Sequence, residues 1–467
     1  MKTGYVNGIL LDGTENMVPQ KDKMVITEGS KIISVEYKDK AIADGTYREC
    51  QIVDLNGAYI MPGLINMHTH LASSGKPLKA RSKKDIKKIT SLMSSNPLTR
   101  RYAMGQFQKN AETELVSGVT TVRSMGGLSD LETTLRNDIA TGKVEGPRIL
   151  TCNMAISVPG GHMAGSLAYE ATSPEEAASF VRKLVSQGVD LIKLMVTGGV
   201  LDADEEGEPG ALKMSPDIIK AACDEAHRLG YKVSAHCESP AGVKEALRNG
   251  VDYIEHGAKP DQEMMDLFKE KGAALICTIS PTIPYVFGDP KITGFTEMEQ
   301  NNCRTVLDGI ISCARACLEE GIPVGLGTDS GTSFTTHYDM WRELAYFSYY
   351  CGVSRNFALH TATQVNAGIA GLGQVTGTIE PGKAADMIMT EGNPLNDLEA
   401  LRGMYMVVVR GKLIREPLLD KVDQIDKLVD RASVDVRKNT EDHEELEKIL
   451  ENEDIDENAR REILDRR

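Results

Sequence analysis

The chain has 467 residues, 41% hydrophobic and 26% charged, a globular composition that excludes disorder along its whole length. With 53 Lys+Arg against 68 Asp+Glu the formal charge is −15. A general nucleic-acid or anionic-membrane binder is thereby excluded, because phosphate contact needs a basic face.

Residues 1–60 read as short strands broken by Gly-containing turns, in TGYVNGILLDGT, KMVITEGSKIISVEY and QIVDLNGAYIMPG, which predicts a small all-β unit. The pattern returns in TGTIEPGKAADMIMTEG and MVVVRGKLI. One small β-sandwich domain built from both ends of the chain, 1–60 with 372–415, is expected.

The middle, 61–371, alternates strand and helix. Strand candidates are Leu64–His70, Val119–Arg123, Arg148–Thr151, Leu191–Val196, Lys232–His236, Tyr253–His256, Ala274–Thr278 and Val324–Gly327. Ser173-Pro174-Glu175-Glu176 sets an N-cap, Pro at N1 and Glu at N3 of a helix running to Gly188, and Ser215-Pro216 opens another that closes at Gly230. Strands alternating with helices pair in parallel, and eight such units over ~300 residues make an α/β fold of the (β/α)8 TIM-barrel type, whose active site lies at the C-terminal ends of the strands.

The stretch 416–467 differs. From Asp420 to Arg467 there are 17 acidic and 10 basic residues, a balance of −7. Val422, Ile425, Leu428 and Val429, then Leu446, Ile449, Leu450, Ile463 and Leu464, stand at helical spacing. A charged helical extension is predicted, packing on the barrel or on another subunit or simply solvated. The nine cysteines are scattered without a CxxC pair and read as reduced thiols of a cytoplasmic protein. The stretch MKTGYVNGILLDGTENMVPQ has no apolar run of signal-peptide length and no later segment approaches ~20 consecutive apolar residues, so a soluble intracellular protein without a membrane segment is expected.

The first barrel strand ends in Met67-His68-Thr69-His70. Histidines at i,i+2 on a strand share a face and can reach one metal ion. His236 ends strand five, His256 ends strand six, and Asp329 follows strand eight. Singly, each fits a hydrogen-bonded core histidine or a loop aspartate. Together at strand ends they are the donor set of a barrel metal site. His227, His337, His360 and His443 read as structural, with His337 and His360 placed in helices.

These residues, with PGLINMHTH, EPGKAADMIM and GNPL, resemble the amidohydrolase superfamily over roughly residues 1–415. The resemblance implies two divalent metal ions, zinc in the first instance. His68, His70 and Asp329 would hold the more buried one, His236 and His256 the other, and Lys193 in LIKLMVTGG would bridge them as a carbamate derived from carbon dioxide. A metal-bridging hydroxide would attack an amide carbonyl while Asp329 acts as general base and acid.

The likeness is to the branch of Xaa-Pro and Xaa-Arg dipeptidases, through Lys193 with Thr197-Gly198-Gly199 and through Gly160-Gly161-His162. It gives His162 a contact to the substrate carbonyl or carboxylate. Glu238 is a departure, since several peptidase members carry tyrosine there; an acidic residue either favours a cationic or hydrogen-bond-donating group or points away, and peptide specificity is left open. Arg123 either contacts an anionic group of the substrate or pairs with a neighbouring carboxylate. The expected activity is hydrolysis of a small amide, a dipeptide or N-acyl amino acid, by a homo-oligomer. A cyclic amidase, a lactonase or a phosphoesterase could run on the same site, and a catalytically inert scaffold is the alternative outside enzymes. Imidazolonepropionase is the poorer match, because that mononuclear branch lacks the lysine bridge.

Overall fold

The computed structural model describes residues 2–77, 83–203 and 205–433. Its centre is a barrel of eight parallel strands: Leu64–Thr69, Val119–Ser124, Arg148–Thr151, Ile192–Met195, Val233–Cys237, Tyr253–His256, Ala274–Cys277 and Val324–Leu326. The boundaries lie within one residue of those read from the sequence. Strands one, four and five are buried at every position, as helix-covered parallel strands must be.

The strands run as two arcs, one to three and four to eight, with Ala155–Ser157 and Ala168–Glu170 added beside strand four. Backbone hydrogen bonds join the arcs. Asp329 N–H donates to His68 O at 2.8 Å and His70 N–H to Ser330 O at 2.7 Å, while Asp190 N–H donates to Thr151 O at 2.8 Å on the other side. The seam beside strand one is tight. A Cβ on Gly327 would stand 2.5 Å from His68 Cβ, so only glycine admits this closure.

The covering helices are capped largely as their sequences predict. Ser173 accepts the Glu176 N–H at 3.3 Å and opens Pro174–Ser186, which buries Ala177, Val181 and Leu184 along one stripe. Ser215 precedes Pro216–Arg228 but turns its hydroxyl to Asp217 instead of capping.

Both ends of the chain contribute to the small β unit. One sheet runs Lys412–Arg415, Met406–Val409, Met387–Thr390, Tyr59–Pro62, Ile9–Leu10; the other runs Lys31–Tyr37, Lys23–Glu28, Lys2–Val6, Cys50–Asp54. Tyr5, Leu10, Val25, Ile60, Met387 and Val408 form part of a shared apolar cluster drawn from both sheets. The unit is not all-β as expected. KDKAIA forms a helix, Lys38–Ala43, followed by a 3-10 turn at Thr46–Glu49. Ala41 is buried against Val6, Met24 and Ile26, so a tertiary contact holds a segment too short to be helical alone.

The helix 423–433 lies on the barrel. Ile425, Leu428 and Val429 bury against Phe334, with Val422 and Tyr285 alongside. Leu446, Ile449, Leu450, Ile463, Leu464 and His443 lie outside the described residues. Among those described, no helix is long and apolar enough to cross a membrane. All nine cysteines are free thiols.

Candidate active site

The alternation of strand one turns His68 and His70 the same way, with ring centroids 5.3 Å apart. Asp329, delivered by the seam after strand eight, places Oδ1 3.5 Å from His68 Nε2 and 3.1 Å from His70 Nε2. The His256 ring centroid lies 5.0 Å from His68 and 4.6 Å from His236. Donor atoms of His68, His256 and Asp329 fall within 4.8 Å of one another, and so do those of His236, Glu238 and His256. Two donor groups therefore share His256. His256 and Asp329 both sit in left-handed backbone, at φ 72° and 54°, a costly conformation for residues other than glycine.

Each imidazole is oriented by the nitrogen that faces away from the centre. His68 Nδ1 lies 2.6 Å from Glu255 Oε2, His70 Nδ1 3.0 Å from Gly126 O, and His256 Nδ1 2.7 Å from Thr278 Oγ1. Their Nε2 atoms are thereby left for a cation. His236 is turned the other way, Nε2 being 3.2 Å from Gly198 O, which leaves Nδ1. Burial holds His68, His236 and His256 well below the ordinary imidazole range, so their lone pairs are available. Burial also depresses His70, but the hydrogen bond and charge of Asp329 outweigh it and raise its pKa. Burial pushes Asp329 upward, but its electrostatic interaction with His68, the hydrogen bond and charge of His70 and the neighbouring Lys193 bring its pKa down to about 2.

Lys193 is fully buried on strand four, and its Nζ has no hydrogen-bond partner among the described residues. Desolvation lowers its pKa, opposed only in part by Glu255, Cys152 and Asp329. An orphaned buried amine is costly as it stands. The same atom, deprotonated, is the nucleophile that carbon dioxide requires, and the resulting carbamate would offer two oxygens to cations. The donor set fits the metal group that the sequence pattern implies.

The remaining candidates lie in two places. His162 stacks on His236, with centroids 4.4 Å apart and planes at 7°, and its Nδ1 is 2.6 Å from Asp202 Oδ2. Glu238 sets Oε1 3.9 Å from His236 Nε2. Arg123 is not at the substrate face. It is buried beneath the histidines, with Nη2 donating to Glu255 Oε1 at 2.5 Å and Nε to Met67 O at 2.7 Å. Of the two roles read for it, the pairing with a carboxylate is the one the structure contains.

Glu255, which also accepts from Ser234 Oγ, escaped the sequence reading, because strict alternation places it opposite His256. Its signal was a lone acid inside an apolar strand. His337 is in a loop and not a helix. It is buried between Glu114 Oε1 at 2.9 Å and Ser73 O at 2.7 Å, which agrees with a structural role.

Barrel, strand-end donors and buried lysine together make a hydrolase-type barrel with candidate metal-binding groups at its strand ends. The sequence profile of the Amidohydrolase family matches residues 59–414, and the chain belongs to that family as a hydrolase of C–N bonds. Ochratoxinase from Aspergillus niger is 26% identical over 389 residues, covering 77% of this chain and 76% of its own. A crystal structure from Bifidobacterium longum, provisionally assigned as a prolidase, is 33% identical with a TM-score of 0.80, covering 92% of this chain and 99% of that one. A Xaa-Pro dipeptidase crystallised with methionine in its active site is 27% identical, with a TM-score of 0.73 and coverage of 89% and 100%.

Proposed function

We propose that the chain is a binuclear amidohydrolase with a carboxylated Lys193, cleaving a small amide that is a dipeptide or an N-acyl amino acid. The observation that carries this reading is the unpartnered, buried Lys193 Nζ, which interacts electrostatically with His68, His70, His236, His256 and Asp329. His68, His70 and Asp329 would hold one divalent ion and His236 and His256 the second, with the lysine carbamate between them. Imidazole and carboxylate donors suit zinc.

When bound, the ions supply Lewis acidity that lowers the pKa of the attacking water and polarises the carbonyl. Asp329 is a carboxylate at neutral pH and takes the proton of that water, then returns it to the departing nitrogen. His162 is held by Asp202 through Nδ1 and keeps Nε2 for the substrate carbonyl or carboxylate. Glu255 and Arg123 orient His68 from below. The likeness to a Xaa-Pro dipeptidase supports a peptide-like substrate. Assembly as a homo-oligomer belongs to the same reading and is checked by light scattering.

The test is metal content per chain after purification with zinc and bicarbonate, for wild type and Lys193→Ala together, followed by assays on dipeptide and N-acyl libraries. About two ions per wild-type chain with clear loss in the variant is the expected result. One ion that is indifferent to Lys193 would overturn the binuclear site.

A further inference from the structure

We propose that Glu114, on the covering helix Pro97–Val116, is a positioning residue for the metal donors of strand one and of the seam after strand eight. The inference rests on the metal-site reading above and adds to it a residue that stands behind the donors.

Glu114 is out of keeping with its helix face. It is 1% exposed and shares the buried side with Phe107, Ala111 and Leu115, where an unpaired carboxylate is costly. Its Oε1 is met by donors from strand one and from the loop after strand eight. Ser330 Oγ lies 2.7 Å away, His337 Nδ1 2.9 Å and Thr69 Oγ1 3.1 Å, and the two hydroxyls are 2.7 Å from each other. Asn66 Nδ2 lies 3.3 Å from both carboxylate oxygens. Thr69 stands between His68 and His70, and Ser330 follows Asp329. One carboxylate oxygen therefore ties together the two stretches of backbone that carry these three donors.

Asn66 completes the tie on the other side of Asp329. Its Oδ1 accepts from Thr328 N–H at 3.0 Å and His68 N–H at 3.2 Å, while Nδ2 donates to Thr328 Oγ1 at 2.8 Å. Asp329, at φ 54°, thus has both neighbours held, one by strand one and one by the helix. Left-handed backbone at a residue other than glycine persists only where the surroundings over-determine it. The 3.5 Å and 3.1 Å that Asp329 Oδ1 keeps to His68 and His70 depend on that tie. His337 extends it to the loop after strand one, its Nε2 donating to Ser73 O at 2.7 Å. Without Glu114 the Thr69 and Ser330 hydroxyls keep only each other, and the buried Nδ1–H of His337 loses its acceptor.

The experiment uses the full chain with cobalt(II) as the probe ion, in bicarbonate, for wild type, Glu114→Met, Glu114→Gln, Ser330→Ala and Phe107→Leu. Each is read by chelator competition, by the visible cobalt absorption, which reports coordination geometry, and by its urea midpoint. Glu114→Met should lower cobalt affinity about 10–100-fold and alter the absorption bands. Glu114→Gln, whose amide oxygen still accepts from Thr69, Ser330 and His337, should keep most of the affinity and the native bands. Ser330→Ala removes one member of the tie and should give a smaller loss in the same direction. It carries the test if Glu114→Met does not fold. Phe107→Leu, a core change on the same helix, should move the urea midpoint alone. Native affinity and bands in Glu114→Met, or in Ser330→Ala where the former is unfolded, overturn the role of Glu114 and leave the metal site standing. An equal loss of affinity in Phe107→Leu overturns it too, because the effect is then one of general destabilisation. A wild type that takes up no cobalt overturns the metal site and this inference with it.

Discussion

His68 Nδ1 and Glu255 Oε2 are 2.6 Å apart, both side chains fully buried, and Arg123 holds the other carboxylate oxygen. The arrangement fixes the ring and its tautomer and leaves Nε2 for the cation. Glu255→Gln keeps the shape and removes the charge; metal affinity, measured by competition with a chelator, is expected to fall about 10–100-fold. Arg123→Met leaves the Glu255 charge uncompensated in the interior, and urea denaturation should show a loss of about 3–5 kcal/mol.

Asp329 is placed 3.1 Å from His70 Nε2 and held as a carboxylate by its neighbours. If it carries the proton between water and leaving nitrogen, Asp329→Asn should lower kcat by about 10²–10⁴-fold. Metal content of the same preparation separates lost proton transfer from lost metal. Retained activity with full metal occupancy would remove Asp329 from the proton path.

Glu343 reaches the loop after strand seven and accepts from Ile279 N–H at 2.8 Å, Ser280 N–H at 2.7 Å and Ser280 Oγ at 2.5 Å. Burial pushes its pKa up to about 7, and these bonds hold it down only in part. A carboxyl raised on folding binds more protons in the native state than in the unfolded one. Its contribution to stability is full below the unfolded pKa of about 4.5 and is lost as pH rises toward 7. The stability of wild type relative to Glu343→Gln should therefore fall by roughly 3 kcal/mol at most between pH 4.5 and 8. Urea midpoints of both proteins across that range give the answer, and a wild type that gains stability relative to the variant as pH rises would contradict it.

The helix 423–433 is anchored by charge as well as by apolar contact. Buried Arg342 pairs with Asp339 at 2.8 Å and Asp430 at 2.7 Å, and Tyr346 OH meets Ser433 Oγ at 2.7 Å. Ile425 packs on Phe334, in the loop that follows Asp329. Ile425→Ala should destabilise the protein by about 2–4 kcal/mol, read as a shifted denaturation midpoint. An unchanged midpoint would show that this helix is not part of the cooperative unit.

The eight barrel strands, the caps of the major helices and the strand-end donors were legible because each depends on neighbours in the chain. Period two puts His68 and His70 on one face, and Ser173-Pro174 starts its helix with local bonds alone. Whatever depends on partners distant in sequence was not legible. Glu255 faces inward beside His256, whose left-handed backbone breaks the alternation that would have separated them. Arg123 meets Glu255 across 132 residues, and barrel closure alone brings those strands together. The isolation of Lys193 Nζ and Glu238 Oε2 is likewise a property of burial from all sides. The sequence by itself determined which residue types stand at the strand ends, since local periodicity sets the direction of a side chain. Only the tertiary structure decided which of them are satisfied by one another and which are left for a ligand, because hydrogen bonding and desolvation are set by the groups that folding brings into contact.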